Sequence, residues 1–221
     1  MIIIVGAGLS GLLLAYRLKK ASIPFRVLEA RNRVGGRIHT QMASNDTPIE
    51  MGATWFHQEH RHFMSLLDEL DIPYYEQFME GAAFFQAHAG VPAESFAMPD
   101  QSPSYRIAGG TIELITTLKS ALDKHEVLID QPVRAIDFSE HEIRVQAQET
   151  FACDKVILAL PPKLWRETID FSPDIPDAVR KIAGETQTWM EESIKVALIY
   201  NRSFWRQNGQ SGTLFSNVGP M

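Results

Sequence analysis

Four large apolar residues, Ile2 to Val5, run without a break into Gly6, Gly8 and Gly11, and an apolar helical pattern follows at once. That order reads as buried strand, tight glycine turn, helix. It is the layout that sets a pyrophosphate on a helix N-terminus. In Gly6-Ala7-Gly8-Leu9-Ser10-Gly11, the first glycine permits the turn and the second lets backbone N–H groups approach phosphates. The third lets helix and strand pack closely. Taken alone, the pattern is equally an ordinary β–α turn, so the flanking sequence has to decide.

The flanks extend the dinucleotide reading. A helix is expected from about Leu9 to Ala21, with Lys19 and Lys20 at its C-terminal end, where cations suit the helix dipole. Pro24 stops it, and Phe25–Leu28 forms a second strand closed by Glu29. Glu29 lies 18 residues beyond Gly11. An acid at that distance hydrogen-bonds a ribose hydroxyl in dinucleotide folds, although a solvated strand-end carboxylate would look the same. Next, Arg31, Arg33 and Arg37 surround the pair Gly35-Gly36. Guanidinium forks match phosphate oxygens, and paired glycines let backbone approach a ligand closely.

The combination Gly-Ala-Gly-Leu-Ser-Gly (6–11) followed by Leu28-Glu29-Ala30-Arg31-Asn32-Arg33-Val34-Gly35-Gly36-Arg37 resembles the FAD-dependent amine oxidase family, which includes monoamine and polyamine oxidases. Protoporphyrinogen oxidases and carotenoid desaturases share this N-terminal part. The resemblance implies FAD as cofactor, bound by Gly6, Ala7, Gly8, Leu9, Ser10, Gly11, Glu29, Ala30, Arg31, Gly36 and Arg37. By position, Arg37 would contact the pyrophosphate and Arg31 would sit beside the adenosine end. Residues 49–57 resemble the family's next element and would bring Gly52, Ala53, Thr54 and Trp55 against the isoalloxazine ring. Read without the resemblance, that small-residue run ending in aromatics suits a flat ligand or the approach to a helix. Val133 matches a position whose backbone contacts adenine; its plainer reading is a half-buried strand residue.

Composition narrows the alternatives. A chain of 221 residues with 45% hydrophobic content can bury a sizeable core. A net charge of −6 argues against a non-specific nucleic-acid or anionic-membrane binder. The single cysteine, Cys153, excludes an intrachain disulfide and a thiolate zinc cluster, and a reducing cytosol is the natural compartment. No apolar run approaches the ~20 residues of a membrane span. His57, His60 and His62 invite a metal reading, but on the helix expected over Glu59–Leu70 the last two diverge, so solvated histidines and no metal are expected.

Further along, Ile72–Phe78 begins as a strand, and Gly90–Ser104 reads as loop. The resembled family carries a long helical substrate insertion near here, for which this chain has little room. Gly109-Gly110 opens a helix bearing Ile112, Ile115 and Leu118, and Val127–Asp130 is a short strand. Alternation over Val133–Phe138 and Ile143–Ala147, followed by Phe151, predicts an antiparallel meander. Lys155–Leu160 is another buried strand, and Asp177–Gln187 a short helix.

Ser193–Tyr200 reads as a strand in which Lys195 is the only charge between Ile194 and Tyr200. A lysine there is partly desolvated, or else snorkels from an edge strand. The resembled family places a lysine in this strand, upstream of an aromatic segment like Phe204-Trp205-Arg206, where it holds a water at flavin N5; Lys195 matches it as the catalytic residue.

The fold class expected is therefore α/β: a Rossmann-type FAD-binding domain with an antiparallel β-meander (1–75 and 104–172). An interleaved, incomplete α+β substrate domain completes it (76–103 and 173–221). The resemblance implies oxidation of a small-molecule amine by hydride transfer to flavin N5, with O2 as acceptor. It also suggests a chain shortened at its C-terminus. Two alternatives stay open: a desaturase-like or protoporphyrinogen-oxidase-like flavoprotein, and an inactive FAD-binding fragment.

Overall fold

The computed structural model describes residues 1–99, 102–139, 141–191 and 193–219. In chain order, β1 (Ile2–Val5), α1 (Leu9–Lys20) and β2 (Phe25–Leu28) are followed by an antiparallel ribbon of β3 (Thr40–Met42) and β4 (Pro48–Glu50). Then come β5 (Phe56–His57), α2 (Arg61–Glu69), β6 (Tyr74–Glu76), β7 (Ala82–Gln86), β8 (Glu94–Ala97) and β9 (Ser104–Ile107). The next elements are α3 (Ile112–Ser120), β10 (Val127–Leu128), β11 (Ala135–Asp137), β12 (Ile143–Gln146), β13 (Thr150–Cys153) and β14 (Lys155–Leu158). The chain continues through α4 (Pro162–Thr168), β15 (Asp170–Ser172), α5 (Asp177–Glu185), a 3-10 turn at Phe204–Gly209 and β16 (Gln210–Ser216).

These elements form two compact units, Met1–Thr54 with Gly109–Val196, and Trp55–Ala108 with Ala197–Met221. Residues 55–75 thus group with the second unit and 173–196 with the first. Pairing explains both: β5 and β6 each bond to β9, and α5 packs on α4.

The first unit is built on a parallel sheet of order β10-β2-β1-β14, with Ile2 opposite Phe25 on one side and Lys155 on the other. A central parallel strand is covered on both faces, which is why β1 is an unbroken apolar run with Ile3 and Ile4 wholly buried. Successive side chains point to opposite faces. Ile3 and Val5, with Leu28, join Val133, Ile136, Val145, Phe151, Cys153 and Ile169 in one core cluster. That cluster welds the sheet to the antiparallel meander β11–β12–β13, which β15 extends by pairing parallel to β11. Elsewhere α1 contacts β1, β2 and α3; Leu12 and Ala15 of α1 and Leu114 and Leu118 of α3 are fully buried. Each such large side chain contributes about 1.5–3 kcal/mol of burial. This is the expected α/β architecture.

In the second unit β7 pairs parallel with β16 and antiparallel with β8, while β5-β9-β6 is antiparallel. Phe56 anchors the latter sheet, its ring 5.0 Å from Phe63 and 5.6 Å from Tyr74 in edge contacts. Among the described residues no helix is long and apolar enough to cross a membrane.

Three local readings change. The stretch read as loop over 90–104 contains β8, which is stabilised by its partner β7 rather than by its own exposed side chains. Beyond the strand read over Lys155–Leu160 a helix appears that the sequence reading did not include: Pro162 starts α4, where its missing N–H costs nothing. Ser193–Tyr200 forms no strand, and Ile194, Val196 and Leu198 are 91%, 73% and 72% exposed.

Candidate functional site

The turn after β1 shows which of its glycines serve the fold. Gly6 has φ +105°, and a Cβ there would lie 2.9 Å from the Ala159 carbonyl oxygen. A Cβ on Gly11 would fall 2.0 Å from the Gly6 oxygen. Both must be glycine for β1, α1 and β14 to meet. Gly8 is different: its φ of −73° and ψ of −179° suit any residue, and its nearest neighbour in the Cβ direction is Gly36 Cα at 3.8 Å. Neither backbone nor packing demands glycine at 8, and the space beside it is open. Gly8 is also the N-cap of α1, with no side-chain cap and no acid in the first turn, so the positive end of the helix dipole is not offset by the chain's own first turn.

Two further elements complete this slot. Glu29, at the end of β2, is buried and accepts the Ala7 N–H at 2.8 Å and the Arg31 N–H at 3.0 Å. It fastens the glycine turn to the neighbouring strand. A carboxylate has about four acceptor positions, so these two bonds leave Glu29 with further acceptor capacity. Gly35 then bonds to Ala7 O at 2.8 Å, which lays the Gly35-Gly36 pair against Gly8. Gly36 has φ +59°, and a Cβ on it would meet Gly8 Cα at 3.0 Å.

The arginines divide their work. Arg33 turns inward and donates to the Gly36 carbonyl at 3.1 Å and the Val34 carbonyl at 3.3 Å, bracing the loop. Arg31 reaches the Gly36 carbonyl at 3.5 Å, while Arg37 donates to the Trp189 carbonyl at 2.9 Å. Among the described residues Arg37 has no carboxylate partner. Leu9, Ser10 and Ala30 line the rim of the same turn by sequence adjacency, Ser10 and Ala30 exposed. Val133 is buried in the core cluster beside Ile136 and Val145.

The segment after β4 packs against the arginine loop. Met51 N bonds to His39 O at 2.8 Å and Ala53 N to Arg37 O at 3.1 Å; a Cβ on Gly52 would sit 1.9 Å from Arg37 O. Here the structure brings in Lys195 from far along the chain: its ammonium donates to Gly52 O at 2.5 Å and to Thr54 Oγ1 at 2.6 Å. Lys195 is half-buried as expected, but among the described residues its segment forms no strand. Trp55 belongs to the other compact unit and is 55% exposed.

Glu50 is the residue that sequence reasoning passed over. It is buried, and its carboxylate accepts the Thr111 N–H at 2.5 Å and the Thr40 hydroxyl at 2.8 Å. Thr40 Oγ1 in turn accepts the Ile112 N–H at 3.1 Å. Together they satisfy the start of α3, and Thr111 Oγ1 donates to Ala53 O at 3.1 Å. The available signal was an acid set between Ile49 and Met51. Of the histidines, the structure draws together His57 and His60, the His57 N–H donating to His60 Nδ1 at 3.1 Å. Asp123, His125 and Glu126 also lie close together, but the Lys19 ammonium already bonds Asp123 and Glu126, both at 2.8 Å.

An open glycine, a helix start without a side-chain cap, a guanidinium with no carboxylate partner among the described residues and a buried acid at the end of β2 fit a phosphate-bearing dinucleotide. Comparison with known proteins agrees. The chain resembles polyamine oxidase 4 of Oryza sativa subsp. japonica, 31% identical over 144 residues, which are 64% of this chain and 27% of that protein. Putrescine oxidase of Kocuria rosea is 22% identical over 324 aligned residues, covering 97% of this chain and 67% of that one. A solved structure of wild-type putrescine oxidase bound to putrescine superposes with a TM-score of 0.80 at 22% identity, over 97% of this chain and 69% of that chain, and shows the shared fold. The family described as flavin containing amine oxidoreductase, whose cofactor is FAD, matches residues 9–89 and 83–221. The chain belongs to the flavin-containing amine oxidoreductase family.

Proposed function

We propose that this chain binds FAD across the Gly6–Gly11 turn and oxidises a small-molecule amine, with O2 as the final acceptor, in a reducing cytosol. The observation that carries the reading is the pairing of Lys195 with Gly52 and Thr54, more than a hundred residues away in sequence. It joins the catalytic candidate to the segment assigned to the flavin ring. Bound FAD supplies a two-electron acceptor that takes a hydride equivalent from the carbon next to the amine nitrogen. The chain's own residues do the rest. The open Gly8 admits the phosphates to backbone N–H groups at the start of α1, Glu29 takes ribose hydroxyls, and Arg37 and Arg31 supply positive charge. Gly52, Ala53 and Thr54 form a wall without bulky side chains. Lys195, oriented by Gly52 O and Thr54 Oγ1, holds a water beside that wall. In this reading the FAD-binding part is 1–75 with 104–172 and the substrate part 76–103 with 173–221.

The test is direct. Titration with FAD should give a bound flavin spectrum, and a panel of mono- and diamines offered in air should release hydrogen peroxide. Lys195→Met should keep FAD bound and slow flavin reoxidation by at least about a hundredfold, the low end for a positioned proton-transfer group. Unchanged reoxidation removes Lys195 from the mechanism. One observation favours a second reading. The alignment with the Kocuria rosea putrescine oxidase runs over 324 positions against the 221 residues here, so that relative carries segments with no counterpart in this chain. FAD uptake with no peroxide from any amine would favour an FAD-binding chain that does not turn amines over. Oxidation of an apolar C–C substrate instead would favour the desaturase-like alternative.

A further inference from the structure

Arg37 is exposed and has no carboxylate partner among the described residues, yet it is not left to wander. Its Nη1 donates at 2.9 Å to the carbonyl of Trp189, 152 residues along the chain. That carbonyl belongs to a tight turn closed by one carboxylate. Glu191 Oε2 accepts the Thr188 N–H at 2.8 Å and the Thr188 hydroxyl at 2.9 Å, and the Glu191 N–H returns to Thr188 O at 3.2 Å. The other oxygen, Oε1, takes the ammonium of Lys163, which stands in the first turn of α4. Met190 adopts φ +62°, a conformation that costs energy for a residue with a side chain and persists only when its surroundings hold it.

What holds the turn is not apolar packing. The Trp189 ring is 86% exposed and Met190 53% exposed. The carboxylate does the holding: it has three donors, two of them on Thr188, and together these keep its pKa at about 2, far below the ordinary value. The Trp189 carbonyl therefore points in a fixed direction because Glu191 is charged and fully engaged.

We propose that Glu191 is a positioning residue for the cofactor's pyrophosphate, acting through the Thr188–Glu191 turn and the Trp189 carbonyl to hold Arg37 in place. A guanidinium offers five N–H donors in a rigid plane, so one bond to a fixed carbonyl orients the whole fork and leaves four donors for phosphate oxygens. Holding the fork in advance lowers the conformational cost of binding. The proposal rests on the reading that Arg37 faces the FAD pyrophosphate. It adds to it that a lysine–glutamate pair, Lys163 on α4 and Glu191 in the turn after α5, sets the affinity of a site near the start of the sequence.

A double-mutant cycle on the full chain tests it, with FAD affinity read from flavin fluorescence and fold checked by circular dichroism. Arg37→Gln should raise the Kd by about thirtyfold and Glu191→Ala by about tenfold. The double variant should bind no more weakly than Arg37→Gln alone, because Glu191 works only through Arg37. Glu191→Gln, which keeps an acceptor for Thr188, should recover part of the loss and serves as the second variant if the alanine form does not fold. Glu191 variants that bind FAD like the wild type, or effects that simply add in the cycle, overturn the proposal and leave the FAD reading standing. A wild-type chain that takes up no FAD overturns both.

Discussion

Replacing Gly11 with alanine separates the glycines required by the fold from the one required by a ligand. The new Cβ would lie 2.0 Å from the Gly6 carbonyl oxygen and 3.1 Å from its carbon, both backbone atoms. Ordinary carbon–oxygen contacts are about 3.3 Å or longer, so the start of α1 must retreat from the β1 turn by roughly 1.3 Å. A gap of 0.5–1 Å already forfeits about a quarter to a half of a contact's dispersion energy, and a buried leucine makes roughly 40–60 contacts of ~0.1–0.2 kcal/mol. With Leu12 and Ala15 both fully buried on that helix, the loss comes to about 3 kcal/mol. Alanine's better helix propensity returns about 1 kcal/mol. The net destabilisation is therefore about 2 kcal/mol, measured as a lower urea midpoint at unchanged m-value. Gly8→Ala is the control. Its Cβ meets nothing closer than 3.8 Å, so stability should stay within about 0.5 kcal/mol while FAD affinity falls about a hundredfold. If Gly11→Ala is as stable as the wild type, the close approach of α1 to the turn is wrong. If Gly8→Ala binds FAD normally, the open glycine is not a cradle.

Other consequences follow from charge and burial. Because Glu191 titrates at about 2 in the folded chain and near 4.5 when free, its contribution is fully present above pH 4.5 and is lost as pH falls through 2. The difference in urea midpoint between wild type and Glu191→Ala should be constant from pH 6 to 8 and shrink by pH 3; a difference that grows on acidification would refute the assignment. Burial, reinforced by the neighbouring Asp154 carboxylate, pushes the Cys153 thiol up, so an aromatic disulfide reagent at pH 8 should react far more slowly with native chain than with urea-unfolded chain. Ile194 and Val196 are 91% and 73% exposed, so changing both to serine should shift stability by less than about 0.5 kcal/mol, whereas Val145→Ala, which opens the core cluster, should cost about 2 kcal/mol. Equal losses would show that the extended segment is packed after all.

What was legible in the sequence was local. From Ile2 to Glu29 each signal agrees with the next: an apolar run, a glycine turn, a helical period, a proline stop, a second apolar run and an acid. The meander was equally plain, because alternation over Ile136, Ile143 and Val145 states which face is buried. The roles of the arginines were not legible. Arg31, Arg33 and Arg37 are alike on paper, and only tertiary geometry shows that Arg33 braces the loop's own carbonyls while Arg37 reaches Trp189. Glu50 was hidden for the same reason. A single acid between two apolar residues has no period, and its partners Thr40 and Thr111 lie 10 and 61 residues away.

Ser193–Tyr200 shows the opposite failure, a strong local signal without its tertiary counterpart. Ile, Val, Leu and Tyr at alternate positions favour a strand by both propensity and pattern. Yet a strand exists only where another strand supplies hydrogen bonds, and β-propensity measures fit to a half-buried, paired surface rather than a preference of the isolated backbone. Among the described residues the first N–H of this stretch goes back to Met190, and no strand pairs alongside. Lys195 nevertheless reaches Gly52 and Thr54, because a charged group with oriented acceptors is fixed by its own bonds and needs no ladder. The catalytic candidate and the strand predicted to carry it are thus separable. A lysine-to-carbonyl contact survives where the sheet around it does not, and so Lys195 is better argued from its acceptors than from the secondary structure of its neighbours.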